Sequence, residues 1–144
     1  MIISSHTLEV LYRYSKLEFI PKFYYLYHLE AAFSNYSLQF FPAFLESCPN
    51  LKSLILDGFF SVPCDLTSGK VPRCLTSTLE YVTIKNLQSF EEETGINLVN
   101  YFLENSVVLE KLNLSYYPKP SSDLESIMKR FTSIELSGCQ VFID

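Results

Sequence analysis

One spacing recurs along this chain: a large apolar residue, two residues, a second, one residue, and a third. It stands as Leu51, Leu54 and Leu56, then as Leu79, Val82 and Ile84, then as Leu109, Leu112 and Leu114. A further copy is Phe131, Ile134 and Leu136, and a weaker early one is Leu26, Leu29 and Ala31. The last two members of each triplet are two residues apart, which in an extended chain turns them to the same side. No such short strand buries its apolar side alone, so the units must stack on one another.

The first members of successive triplets are separated by 25, 28, 30 and 22 residues. These intervals bracket or slightly exceed the leucine-rich repeat length, and their inequality makes the repeat degenerate. Three intervals carry helical stripes. Leu38, Phe41, Phe44 and Leu45 form the first, with Pro42 tolerated only near the helix start because it lacks an amide proton. Ile96, Val99, Phe102 and Leu103 form the second, for which Thr94 is the expected cap, with Gly95 just inside. Leu124, Ile127, Met128 and Phe131 form the third, behind Ser122 and Glu125 at capping-box spacing. An earlier helix is expected from Thr7, its cap, with Leu8, Leu11 and Tyr12 on one face. Ile2 and Ile3 read as the remnant of a strand. The stretch from Asp57 to Ser77 holds Gly58, Pro63, Gly69 and Pro72 and reads as an irregular crossing, with a short element near Phe59 to Val62. Asn86 to Glu93 and Pro118 to Ser122 read as loops. The expected fold is α/β: a degenerate leucine-rich-repeat-like solenoid, parallel strands on one face and helices on the other.

Composition narrows the function classes. With 144 residues, 48% hydrophobic and 19% charged, the chain is one domain that buries roughly two thirds of its extended-state surface. A net charge of -5 argues against nucleic-acid backbones as partners. No apolar run is long enough for a membrane span, and Met1 to Tyr14 has no secretory leader pattern. Four cysteines, Cys48, Cys64, Cys74 and Cys139, fit reduced thiols in an intracellular protein, cytoplasmic or nuclear, better than a disulfide framework. The glycosylation-like triplets at Asn35 and Asn113 carry little weight without a secretory route.

Three phrases resemble a known family. Residues 45–56 read LESCPNLKSLIL, residues 71–84 read VPRCLTSTLEYVTI, and residues 98–115 read LVNYFLENSVVLEKLNLS. Taken in order, they resemble the plant F-box, leucine-rich-repeat and FBD proteins over residues 7–137. The resemblance implies degenerate repeats over 1–71 and an FBD-like domain over 72–144 that continues the same stack. It also implies a substrate-presenting role in a cullin-RING ubiquitin ligase. Family members carry an F-box that docks on the ligase adaptor; no room for one precedes these repeats, so adaptor binding is not expected. Because Met1 begins almost inside a unit, an N-terminally truncated solenoid is expected.

No constellation for catalysis, cofactor or metal is expected. His6 and His28 stand in no nucleophilic arrangement, and the cysteines lack the close couples of a zinc site. Glu91, Glu92 and Glu93 read as a solvated run that suits the start of the next helix. The candidate surface is the side of the strands turned away from the helices: Ser53 and Ile55, Tyr81 and Thr83, Lys111 and Asn113, Ser133 and Glu135. One aromatic and both charge signs suit recognition of an unknown protein ligand. The alternatives are a structural cap of a repeat array and a remnant with no specific partner. Phe23, Tyr24, Tyr25 and Tyr27 form an aromatic cluster expected to lie partly at the surface, against further repeats.

Overall fold

The structure is a computed structural model and describes residues 2–15, 21–32, 41–57, 71–87, 93–116 and 140–143. Within them, in chain order, lie β1 (Ile2–Ile3), α1 (Ser5–Ser15), β2 (His28–Ala32), α2 (Phe41–Glu46) and β3 (Ser53–Asp57). α3 (Arg73–Ser77), β4 (Tyr81–Leu87), α4 (Glu93–Asn105), β5 (Lys111–Tyr116) and β6 (Gln140–Ile143) follow. The described strands form one sheet in sequence order, and every neighbouring pair is parallel. Parallel neighbours cannot be joined by tight turns and need crossovers. α1 to α4 lie in the first four of these. This is a leucine-rich-repeat-like α/β solenoid, strands on one face and helices on the other.

Register shows why the triplets recur. Leu29, Leu54, Val82, Leu112 and Val141 stand side by side across five strands. Ile3, Ala31, Leu56, Ile84, Leu114 and Ile143 form the second row. From Leu29 to Leu112 the first row is buried, and the first triplet members Leu51, Leu79 and Leu109 are buried just before their strands. Phe44 and Leu45 from α2, Leu75 from α3, and Val99 and Phe102 from α4 close this core from behind. A repeated backbone linkage joins the units at the strand starts. The Tyr27 carbonyl accepts from the amides of Lys52 (2.8 Å) and Ser53 (3.0 Å). The Lys52 carbonyl accepts from Glu80 (2.9 Å) and Tyr81 (3.2 Å), and the Glu80 carbonyl from Glu110 (2.8 Å) and Lys111 (3.1 Å). The backbone groups at each strand start thus find a partner in the next unit, as a stack of short strands requires.

Helix boundaries depart from expectation in three places. Ser4, not Thr7, caps α1: the Thr7 amide donates to Ser4 Oγ at 3.2 Å, and the two hydroxyls lie 3.1 Å apart. Thr94 lies inside α4, which begins at Glu93. The irregular crossing ends in a helix that sequence periodicity does not reveal, because α3 is only five residues long. Pro72 leads into it in an extended conformation (φ -59°, ψ 142°), and the amides of Thr78 and Leu79 share the Cys74 carbonyl at its end. The Arg73 amide donates to Glu46 Oε2 (3.0 Å), which ties the start of α3 to the end of α2. Pro42, by contrast, is the second residue of α2, where its missing proton costs nothing.

The place beside β5 is held by Gln140–Ile143; the triplet at Phe131, Ile134 and Leu136 lies outside the described residues. The third helical stripe and the short element near Phe59 also lie outside them.

Candidate functional site

Alternation along the strands leaves one residue in two pointing away from the helices. Three lateral rows result. His28, Ser53, Tyr81, Lys111 and Gln140 make the first; Ile2, Glu30, Ile55, Thr83, Asn113 and Phe142 the second; Ala32, Asp57 and Lys85 the third. Six of the eight candidate residues are therefore brought together as the repeat pattern requires. Ser53, Ile55, Tyr81, Thr83 and Asn113 are half-buried and Lys111 is exposed. Ser133 and Glu135 lie outside the described residues, and the positions beside Lys111 and Asn113 belong to Gln140 and Phe142.

Charge on this face is largely paired internally. Lys85 Nζ reaches Glu30 Oε1 at 3.7 Å, spanning β3 to join β4 with β2. At the strand starts Lys52 Nζ lies 3.7 Å from Glu80 Oε2. Tyr81 donates its hydroxyl to Glu110 Oε2 at 3.2 Å. That hydrogen bond, and the negative charge of Glu110 behind it, hold the Tyr81 hydroxyl above the ordinary tyrosine range. Tyr81 thus stays a neutral donor with a fixed orientation. Glu30, Lys85 and Glu110 were not among the expected site residues. His28 and Glu30 follow from the same alternation once the weak early triplet is placed in register. Glu110 precedes its strand, and only the stacked structure brings it to Tyr81.

Loop residues 21–27 present the aromatic cluster. The Phe23 amide donates to the Ser47 carbonyl (2.8 Å), and Phe23 packs on Phe44 with ring centroids 6.4 Å apart. Asn50 Nδ2 donates to the Tyr24 carbonyl at 2.7 Å. Tyr24, Tyr25 and Tyr27 stay exposed, so the cluster divides into one core anchor and three surface rings.

The described cysteines are packing residues. Cys48 and Cys74 are free and fully buried. Burial pushes the Cys48 thiol up to about 11 and the Cys74 thiol up to about 12. Neutral buried thiols of this kind are poor nucleophiles and poor metal ligands. Among the described residues no group of three or more His, Cys, Asp or Glu converges to hold a metal ion. No described helix is long and apolar enough to cross a membrane.

Residues 68–114 match the FBD family. A putative F-box/FBD/LRR-repeat protein of Arabidopsis thaliana is 57% identical over 147 residues, which is 99% of this chain and 33% of that protein. A second such Arabidopsis protein is 54% identical over 98% of this chain and 32% of its own length. A putative FBD-associated F-box protein of the same plant is 53% identical over 99% of this chain and 39% of its own length. No solved structure matches. The chain spans about a third of the length of these curated relatives. With its stacked parallel strands, its FBD segment and these relatives, the chain matches the plant F-box/FBD/LRR-repeat family.

Proposed function

We propose that this chain is a non-enzymatic protein-recognition module, the substrate-contacting part of an F-box-type ubiquitin-ligase receptor acting inside the cell. The observation that carries this reading is the strand face. Three parallel strands, β3 to β5, carry Ser53, Ile55, Tyr81, Thr83, Lys111 and Asn113 in adjacent rows, backed by a buried apolar core. A rigid, mixed polar and apolar surface is what protein recognition needs, with little ordering cost on binding. The relatives are named as F-box proteins, and the ligase context is what the family resemblance of the sequence implies. In this reading residues 1–71 are repeats and 72–144 an FBD-like continuation of the same stack, and the chemistry belongs to the ligase.

Proximity labelling in plant cells tests it, with the wild-type chain compared to two variants. Thr83→Arg places a bulky charge in the middle row. Glu104→Arg makes a similar change on α4, away from the strand face. A reproducible partner set lost in the first variant and kept in the second supports the reading. A set that is unchanged by Thr83→Arg, while circular dichroism shows both variants folded, contradicts it.

A further inference from the structure

An ion pair on the strand face crosses a strand. Glu30 lies on β2 and Lys85 on β4, and β3 runs between them. Neighbouring strands lie about 5 Å apart, so these two backbones are separated by about 10 Å. Lys85 Nζ nevertheless reaches Glu30 Oε1 at 3.7 Å, which requires both side chains to lean towards each other over β3. Glu30 stands beside Ile55 in register and Lys85 beside Asp57, so the pair passes over β3 between these two residues. Ile55 is the large apolar side chain that β3 turns to this face, and it is half-buried. The pair between Lys52 and Glu80 has the same length but joins the residues just before two adjacent strands, with no strand between them.

A lysine carries its charge on a long apolar stem, which lies along apolar surface while the ammonium keeps its water. Lys85 fits this, with its side chain 44% exposed and that of Glu30 32% exposed. We infer that the Glu30–Lys85 pair is a strap over Ile55, closed in the free protein and opened when the strand face takes up a partner. Ion pairs this exposed stabilise little and weaken with salt. The strap therefore opens at small cost and uncovers an apolar contact in the middle of the face. The closed strap stands on the geometry; its use in binding rests on the reading of the strand face as the recognition surface.

The test places the full chain, with isotope-labelled isoleucine methyls, in a neutral soluble gadolinium chelate. The relaxation added to each methyl is measured for wild type, Glu30→Gln and Glu80→Gln. At low salt the Ile55 methyl is expected to relax roughly twofold faster in Glu30→Gln than in wild type, and molar sodium chloride to bring wild type towards that variant. Ile55 in Glu80→Gln, and the buried Ile84 methyl in every sample, are expected to keep their wild-type values. Equal Ile55 relaxation in wild type and Glu30→Gln overturns the strap, and so does an equal rise in Glu80→Gln. Proximity labelling then reads its use: the partners lost in Thr83→Arg are expected to be labelled more strongly by Glu30→Gln. Unchanged labelling, with Ile55 uncovered, overturns opening on binding and leaves the closed strap. A partner set indifferent to Thr83→Arg overturns the recognition reading, and the methyl result decides the strap separately.

Discussion

Replacing Leu56 with alanine removes three carbon groups from a side chain of β3 that is fully buried. At about 0.8 kcal/mol for each buried methylene, the transfer loss alone is about 2.4 kcal/mol. A cavity term adds to it. Leu56 stands beside Ala31 on one strand and Ile84 on the other, and Ala31 is too small to fill the space, so little collapse is available. The expected total is about 3–5 kcal/mol. One residue earlier, Ile55 faces away from the helices and is half-buried. Ile55→Thr keeps the β-branch that suits a strand and should cost less than about 1 kcal/mol. Urea unfolding followed by circular dichroism measures both, with the slope checked for constancy so that midpoints report stability. A Leu56→Ala chain that is already unfolded in water has the same meaning as a large midpoint shift. Equal losses for the two variants would refute the alternation on which both the core and the recognition face depend.

Other consequences are smaller but separable. Ser4→Ala removes the α1 cap and should cost about 0.5–1 kcal/mol, read as faster amide exchange in α1. Cys48, Cys74 and Tyr101 all have folded pKa values raised by burial above their ordinary values of 9.0, 9.0 and 10.0. Their neutral forms are therefore favoured by the fold. Stability from them is fully present below about pH 9 and is lost as pH rises towards 12, which a series of urea midpoints between pH 7 and pH 11 would show. Peptide-level mass spectrometry after thiol labelling should find Cys48 and Cys74 slow in native buffer and fast in urea. Glu30→Gln breaks an ion pair whose groups both keep substantial solvent contact, so its effect on stability should stay below about 1 kcal/mol.

Much of the architecture can be read from spacing alone, for a physical reason. A strand with one buried side must repeat apolar residues two apart, and Leu54 with Leu56, Val82 with Ile84 and Leu112 with Leu114 obey this. The same alternation assigns Ser53, Tyr81, Thr83, Lys111 and Asn113 to the opposite face. Short or end-determined features are less legible. α3 has too few residues for a helical period to show. Ser4 and Thr7 are both good caps by chemistry, and only backbone geometry chooses Ser4. The triplet at Phe131, Ile134 and Leu136 predicts a strand that lies outside the described residues. Gln140–Ile143 stands beside β5 with Val141 and Ile143 in the apolar rows, an alternation without a large apolar residue three places before Val141, where Gly138 stands. The ion pair between Glu30 and Lys85 joins residues far apart in sequence across an intervening strand, so no local pattern announces it.

The most direct measurement of the stack is a set of methyl–methyl nuclear Overhauser contacts in a chain with labelled leucine, valine and isoleucine methyls. Contacts are expected to run from Leu29 to Leu54, from Leu54 to Val82, from Val82 to Leu112 and from Leu112 to Val141, in that order. A pattern that links Leu54 to Ile84 and Leu56 to Val82, without the Leu54–Val82 contact, would mean antiparallel neighbours and would contradict the solenoid and the face built on it.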